Sequence, residues 1–252
     1  MFTLNINPII FHIGVIQLTY YSLVYILGFL TLLFVLLKAS KDKEIPLSKE
    51  QVYNYVILLF ISILIGARIF HFVFWDLDYF SVHLNELLSI WNGGLSFHGG
   101  LAGAIVFSLF YCKKNKINFL RLADVIILPA ALFLVLGRIA NLINAEILGK
   151  TTTSSICINF PDIQGCRYPI QLYSAIGRFA LLFFLLKIKS NKYKEGFIFY
   201  LFLFFISLGR FLLDFLRDDV SYLYLSAGQW LSLILLFITI FILLKHYIKF
   251  KL

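Results

Sequence analysis

Two segments set arginines and amides in helical register within otherwise apolar sequence. In LGRIANLINAEILGK, Arg138, Asn141 and Asn144 recur every three residues, Ala145 continues the face at i+7, and Glu146 and Gly149 follow. A helix there aligns a guanidinium and two amides along one stripe. In LGRFLLDFLRDD, Arg210, Asp214 and Arg217 fall at i, i+4 and i+7, again one face. A third segment, WNGGLSFHGGL, places His98 among four glycines, Gly99 and Gly100 directly after it. Glycines let backbone or substrate approach closely, and imidazole titrates near neutral pH. Arginine forks grip phosphate oxygens in bidentate fashion. Together these types suit the binding of an anionic, phosphate-bearing group with a base in reach. A structural reading stands beside the functional one: the arginines pair with Asp214 or Glu146, and His98 is a satisfied polar residue. Spacing alone does not choose between them.

The elements that must position these groups are membrane helices. Of the residues, 61% are hydrophobic and 14% charged, against roughly half and a quarter in soluble domains. Apolar runs near 18–37, 52–74, 98–112, 122–144, 170–187, 196–213 and 227–244 approach the roughly 20 residues that cross a hydrocarbon core of about 30 Å. They predict an all-α, polytopic membrane protein with seven transmembrane helices, the third and fifth short. A lipid-facing barrel requires alternating polarity, which these runs lack. The opening MFTLNINPIIFHIGV has neither a positive n-region nor a small-residue cleavage site and reads as mature chain. No repeat, low-complexity tract or Gly/Ser linker divides residues 1–252. The expectation is a single membrane domain with outer-side loops at about 75–97 and 145–169 as caps.

The net charge of +9 comes from cations in blocks: Lys38, Lys41, Lys43 and Lys49; Lys113, Lys114, Lys116 and Arg121; Lys187, Lys189, Lys192 and Lys194; Lys245, Lys249 and Lys251. The blocks fall on alternate ends of the spans, which makes that side cytoplasmic. The N-terminus is then outside and the C-terminus cytoplasmic. Such blocks set topology and touch anionic membrane lipids; no nucleic acid partner is implied. Tyr20, Tyr21, Tyr25, Trp75 and Trp91 sit near span ends, where aromatic rings mark the headgroup level.

The remaining cations, Arg68, Arg138, Lys150, Arg167, Arg178, Arg210 and Arg217, lie within spans or on the outer side. An arginine at a helix centre costs roughly 2.5–3.5 kcal/mol on insertion scales, so it faces a cavity or a partner. Spans four and six both run outward. Their polar ends meet in the outer half, where His98 also begins span three, and the expectation is an outer-leaflet cavity suited to an anionic headgroup. Arg68, near the outer end of span two, either pairs with the acidic loop of Asp76, Asp78 and Glu86 or joins this site. Gln171 and Tyr173 are placed on its rim, and Arg178, deeper in span five, against another helix. Pro129 bends span four. Cys157 and Cys166 share an outer loop, where an oxidising exterior permits a disulfide whose geometry the sequence leaves open. Two other functions fit a cationic pocket: an anion transporter, which calls for inverted halves, and a different headgroup enzyme. Neither an internal repeat nor the acidic cluster of a metal-dependent form is visible, so no metal or cofactor is expected.

At these residues the chain resembles the prolipoprotein diacylglyceryl transferases of bacterial membranes. The resemblance runs through TYYSLVY, IGARI, WNGGLSFHGGL, LADVIILPAALFLVLGRIANLINAEILGK, YPIQLYSA, LGRFLLDFLR and LSAGQWLSL. It implies a seven-helix enzyme of the bacterial inner membrane, its active site toward the outer leaflet. Such an enzyme transfers diacylglyceryl from phosphatidylglycerol to the lipobox cysteine of a prolipoprotein signal peptide. The product is a thioether, and glycerol phosphate leaves. By the same resemblance Tyr21 matches the family's span-one tyrosine and His98 its H-G-G-L histidine. Arg138, Asn141, Glu146 and Gly149 match the G-R-I-x-N-x-I-N-x-E-x-x-G motif, and Arg210 a late essential arginine. Three positions depart from the family pattern: Ala145 for a glycine, Ser174 for a glutamate after Q-L-Y, and Asp214 for a glutamate.

Overall fold

The computed structural model describes residues 2–13, 16–74, 77, 82–83, 95–161, 163–189 and 193–247. Trp75, Asp76, Asp78, Glu86 and Trp91, and with them most of the expected cap at 75–97, lie outside the described residues. Among the described residues seven helices dominate: α1 (Tyr20–Lys41), α2 (Lys49–Phe74), α3 (Phe97–Lys114), α4 (Phe119–Ile143), α5 (Ile170–Lys189), α6 (Phe197–Leu213) and α7 (Ala227–His246). Six are long and apolar enough to cross a membrane, α6 counted with the 3-10 turn that prolongs it to Leu216. α3 is not among them, because its 18 residues include His98, three glycines and two lysines. The fifth apolar run, expected to be short, forms a helix of 20 residues.

The all-α expectation needs one correction. Seven short strands occur among the described residues: β1 (Phe2–Thr3), β2 (Ile9–Ile13), β3 (Ile16–Thr19), β4 (Ile158–Phe160), β5 (Ile163–Arg167), β6 (Ser221–Tyr222) and β7 (Leu225–Ser226). They pair as β1-β4-β5, β2-β3 and β6-β7. All lie in segments flanking the apolar runs, where backbone N–H and C=O groups have no helix to satisfy them.

By contacts the chain forms two compact units, residues 1–32 with 123–252, and residues 33–122. In the first, α4, α5 and α6 bury Ile127, Leu128, Ala131, Leu181, Leu182, Leu185, Ile198 and Phe202 together. The start of α6 is fixed from α4. The Asp124 carboxylate accepts the backbone N–H groups of Gly196 (2.6 Å) and Phe199 (2.8 Å), donors that a helix N-terminus leaves unpaired. α7 opens with a capping box between Ser226 and Gln229, which satisfies two more. The loop expected to cap the site at 145–169 contains β4 and β5, joined by a Cys157–Cys166 disulfide with Cα atoms 5.5 Å apart. Ile158 and Phe160 of β4 pack with Leu142 of α4, which seats this small sheet on the end of that helix.

The second unit is built on α2 and α3 in close contact. A Cβ at Gly99 would lie 2.3 Å from the Gly66 carbonyl oxygen, and one at Gly103 2.3 Å from that of Ser62. Only bare backbone permits this approach. Further along, Tyr55 and Ser108 share a hydrogen bond of 2.7 Å, and Tyr111 donates to the Gln51 carbonyl at 2.7 Å.

Candidate active site

The candidate site residues fall into three groups, two of them in the first unit. The first begins where α4 stops. The expectation that Ala145 extends the helical stripe is corrected: the helix ends at Ile143, and Ala145 and Ile147 adopt φ of 53° each. Glu146 N–H then bonds back to the Asn141 carbonyl at 2.9 Å. This reversal folds the Glu146 carboxylate onto the helix it has just left. Its Oε2 accepts from Tyr21 Oη (2.8 Å) and Asn141 Nδ2 (3.1 Å), its Oε1 from Asn144 Nδ2 (3.2 Å). Asn141 Nδ2 also donates to Tyr21 Oη. Gln171, buried at the start of α5, donates to the Glu146 carbonyl at 2.7 Å. One carboxylate therefore gathers the first turn of α1 and the end of α4, with α5 tied to its backbone.

The second group is a chamber of guanidinium groups. Arg138, Arg178, Arg210 and Arg217 line it with Asp214, Ser174, Ile147, Ile170 and Leu213, around about 20 Å³ of free space, room for about one water. Four cations against Asp214 in the lining and Asp219 beside Arg217 leave an excess of two positive charges. Asp214 lies 3.5 Å from Arg210 Nε and accepts from Ser226 Oγ at 3.4 Å. Arg210 Nε is buried with no hydrogen-bond partner. Arg217 Nε lies 3.5 Å from Asp219, and Arg178 donates to the Leu134 carbonyl at 3.2 Å. Gly228 holds α7 close: a Cβ there would meet Asp214 Oδ2 at 2.6 Å and Arg210 Nη2 at 2.7 Å.

A backbone ladder joins these two groups. Gly149 and Arg217 form an antiparallel bridge, Lys150 N–H bonds to the Leu216 carbonyl (2.8 Å), and Asp218 N–H to that of Leu148 (3.0 Å). Arg167 of β5 fastens it, donating to the Gly149 carbonyl at 3.0 Å and to Asp218 at 2.7 Å. A Cβ at Gly149 would come 2.3 Å from the Tyr168 carbonyl oxygen, so the bare backbone serves this packing.

The third group belongs to the second unit. His98 stands exposed in the first turn of α3, its ring 6.4 Å from that of Phe70 and inclined by 30°. Gly99 and Gly100 are buried beside it against α2, where a Cβ at Gly100 would meet Ile63 Cγ2 at 3.3 Å. Arg68 is also buried in this unit, 6% exposed. Tyr173, back in the first unit, is half-buried in the first turn of α5, and its N–H bonds to the Pro169 carbonyl at 3.1 Å.

Arg138, Arg210, Asp214 and Arg217 thus share one chamber, and Tyr21, Asn141, Asn144, Glu146 and Gln171 one network. Two participants differ from the sequence reading. Arg178, assigned only to helix contact, lines the chamber as well as bonding to α4. The spacing of Ser174 and Arg178 at i and i+4 marks a polar face that could have revealed it. Arg167, one of the seven cations outside the basic blocks, has its place in the ladder; no spacing signal in the cap announces its contact with Asp218. Among the described residues no group of three His, Cys, Asp or Glu side chains is placed to hold a metal ion.

Positions 8–245 match the family model described as prolipoprotein diacylglyceryl transferase. The chain is similar to the phosphatidylglycerol–prolipoprotein diacylglyceryl transferase of Geobacter sulfurreducens, 35% identical over 90% of this chain and 88% of the relative. It is 37% identical to the Rickettsia bellii protein of that name over 96% and 95% of the two chains. The Ehrlichia canis protein, with the same name, is 35% identical over 92% of each.

Proposed function

The chain belongs to the prolipoprotein diacylglyceryl transferase family, and from that membership we propose its reaction. It transfers the diacylglyceryl group of phosphatidylglycerol to the thiol of the lipobox cysteine in a prolipoprotein signal peptide. A thioether forms and glycerol phosphate is released. The observation that carries the reading is the four-arginine chamber with its excess of two positive charges. A phosphodiester brings one negative charge, and the departing glycerol phosphate gains a second as the ester C–O bond breaks. Cations aimed at charge that grows during the reaction stabilise the transition state more than the bound lipid. Arg138 and Arg210 take the phosphate oxygens, with Arg210 Nε, which makes no hydrogen bond, as one donor; the guanidinium groups part to admit it.

In the same step the cysteine sulfur attacks the glyceryl carbon that bears the phosphate ester. The S–C bond forms, the C–O bond breaks with its electron pair on the phosphate oxygen, and the thiol proton goes to His98. A thiol of pKa about 8.5 needs such a base, and general-base help is worth about 10² to 10⁴ in rate. Tyr21 and Asn141, whose donors go to Glu146 and to each other here, supply hydrogen bonds to the headgroup once that network opens to it, with Asn144, Gly149, Gln171 and Tyr173 shaping its rim. Gly99, Gly100 and Arg68 support the His98 segment. The chain acts as one membrane domain with seven crossings, its N-terminus outside and C-terminus cytoplasmic, in the bacterial inner membrane. The site opens to the outer leaflet, where secreted prolipoproteins present their cysteine.

The test is a liposome assay with phosphatidylglycerol and a lipobox peptide, scored by mass spectrometry for diacylglyceryl on the peptide thiol. Turnover is expected from the natural sequence, with loss of about 10² or more in Arg138→Ala and His98→Ala variants that remain folded. Undiminished transfer by both variants would refute the assigned roles.

A further inference from the structure

The space between α5 and α6 bears on which lipids the enzyme accepts, an inference that rests on the transferase reading. In one half of their length Leu185 of α5 packs in one core with Ile198 and Phe202 of α6. In the other half they part around a groove of about 420 Å³, walled almost entirely by apolar atoms. Gly177 and Gly209 stand on its opposite walls, and a Cβ at either would meet nothing within 4 Å. Ser174, Arg178, Arg210 and Leu213 line both this groove and the arginine chamber, so the apolar space begins where the cationic one ends. At the far end Phe184 and Phe205, ring centroids 5.7 Å apart and nearly perpendicular, stand where the closed half of the helix pair begins.

We propose that this groove is an acyl-chain gauge. It takes one of the two acyl chains of the phosphatidylglycerol whose phosphate occupies the arginine chamber. Gly177 and Gly209 set its width, and the Phe184–Phe205 pair sets its depth. The dimensions select this occupant. Ser174 and Phe184 are ten residues apart on one helix, about 15 Å at 1.5 Å per residue, which is half of a hydrocarbon core of about 30 Å. A single acyl chain spans that half. A signal-peptide helix, about 10–12 Å across with its side chains, is too broad for a groove whose width comes from two absent side chains. Continuity with the chamber supplies the rest, because a lipid anchored by its phosphate among the arginines has its glyceryl ester at the groove mouth. The second chain stays in the bilayer. Lipid tails are already in apolar surroundings, so the groove adds no hydrophobic driving force. Its contribution is steric, and it therefore shows as discrimination between chains.

The experiment measures transfer to a lipobox peptide from dioctanoyl-, dipalmitoyl- and distearoyl-phosphatidylglycerol competing in mixed detergent micelles. For Gly177→Leu and Gly209→Leu, kcat/KM for the dipalmitoyl lipid relative to the dioctanoyl lipid is expected to fall about tenfold, the order that one misplaced methylene commands in a shaped pocket. For Phe205→Ala the ratio of distearoyl to dipalmitoyl transfer is expected to rise. A phosphatidylglycerol with a diazirine at the end of one acyl chain is expected to label the α5 and α6 peptides containing Phe184 and Phe205 in the unaltered protein. This readout does not depend on how a variant folds. Unchanged lipid ratios in all three variants, or labelling confined to other helices while the unaltered protein is active, would overturn the gauge and leave the transferase reading intact. No transfer from any of the three lipids by the unaltered protein would instead overturn the transferase reading, and the gauge with it.

Discussion

Replacing Glu146 with glutamine and with alanine should give two sharply different proteins. The carboxylate accepts from Tyr21 and Asn141 on Oε2 and from Asn144 on Oε1. Alanine removes all three acceptor contacts. Because Glu146 is exposed, each is taken at the neutral-bond figure of about 1 kcal/mol, for a total of about 3 kcal/mol. At about 2–4 °C per kcal/mol for a chain near this size, that is a fall in Tm of about 6–12 °C. Glutamine keeps one carbonyl oxygen and can retain the Tyr21 and Asn141 contacts. Its new NH₂ then faces Asn144, whose Oδ1 is buried without a hydrogen-bond partner. A flip of the Asn144 amide turns that idle oxygen into the acceptor. What is lost is charge assistance, about 1 kcal/mol. Calorimetry in detergent micelles, paired with the transfer assay, measures both variants. Equal losses in the two would show that the negative charge, not the bonding pattern, holds the network; no loss in alanine would show that it holds nothing.

Ala145→Gly should raise Tm by about 2 °C, since the left-handed conformation at this residue costs a side chain about 1–2 kcal/mol and glycine's extra chain entropy returns only part of it; a lowered Tm would contradict this. Cys157→Ser with Cys166→Ser should destabilise the cap by about 2.5 kcal/mol on the chain-entropy account of so short a loop, read as faster proteolysis of the 149–168 segment; a cleavage rate equal to that of the parent would count against it. Asp124→Ala should cost about 1 kcal/mol by stripping the α6 N-terminus of its acceptor, while Asp124→Asn, which keeps one acceptor oxygen, should cost less; the order of the two melting temperatures decides.

Much of the helical frame is legible in the sequence, and its errors share one cause. The apolar runs ending near 37, 112, 187 and 244 stop short of helix ends at Lys41, Lys114, Lys189 and His246. Hydropathy ends at the first lysine, but lysine is a good helix former, and the helix runs on. The register of Arg138 with Asn141, and of Arg210 with Asp214, is legible because it lies inside helices where period is geometry. Glu146 is not: two positive φ values after Asn144 fold it backward, and no side-chain spacing encodes a left-handed turn at alanine and isoleucine. The cap sheet is invisible for a different reason. Strands of two to five residues hold too few alternations to register against the disulfide loop around them. Gly99 looks in sequence like room for a ligand, whereas it is backbone of α2 that fills the space.

Arg217 is both a wall of the chamber and a rung of the ladder that Gly149 completes. Neighbouring side chains in an extended segment point to opposite faces, so a slip of one residue would turn this guanidinium outward and withdraw a quarter of the chamber's cations. The stretch from Ile143 to Gly149 therefore behaves as a spacer whose length is under tighter constraint than its composition. Chimeras that exchange this cap between relatives should retain binding when the residue count is kept, and lose it on a single insertion or deletion even where every named side chain survives.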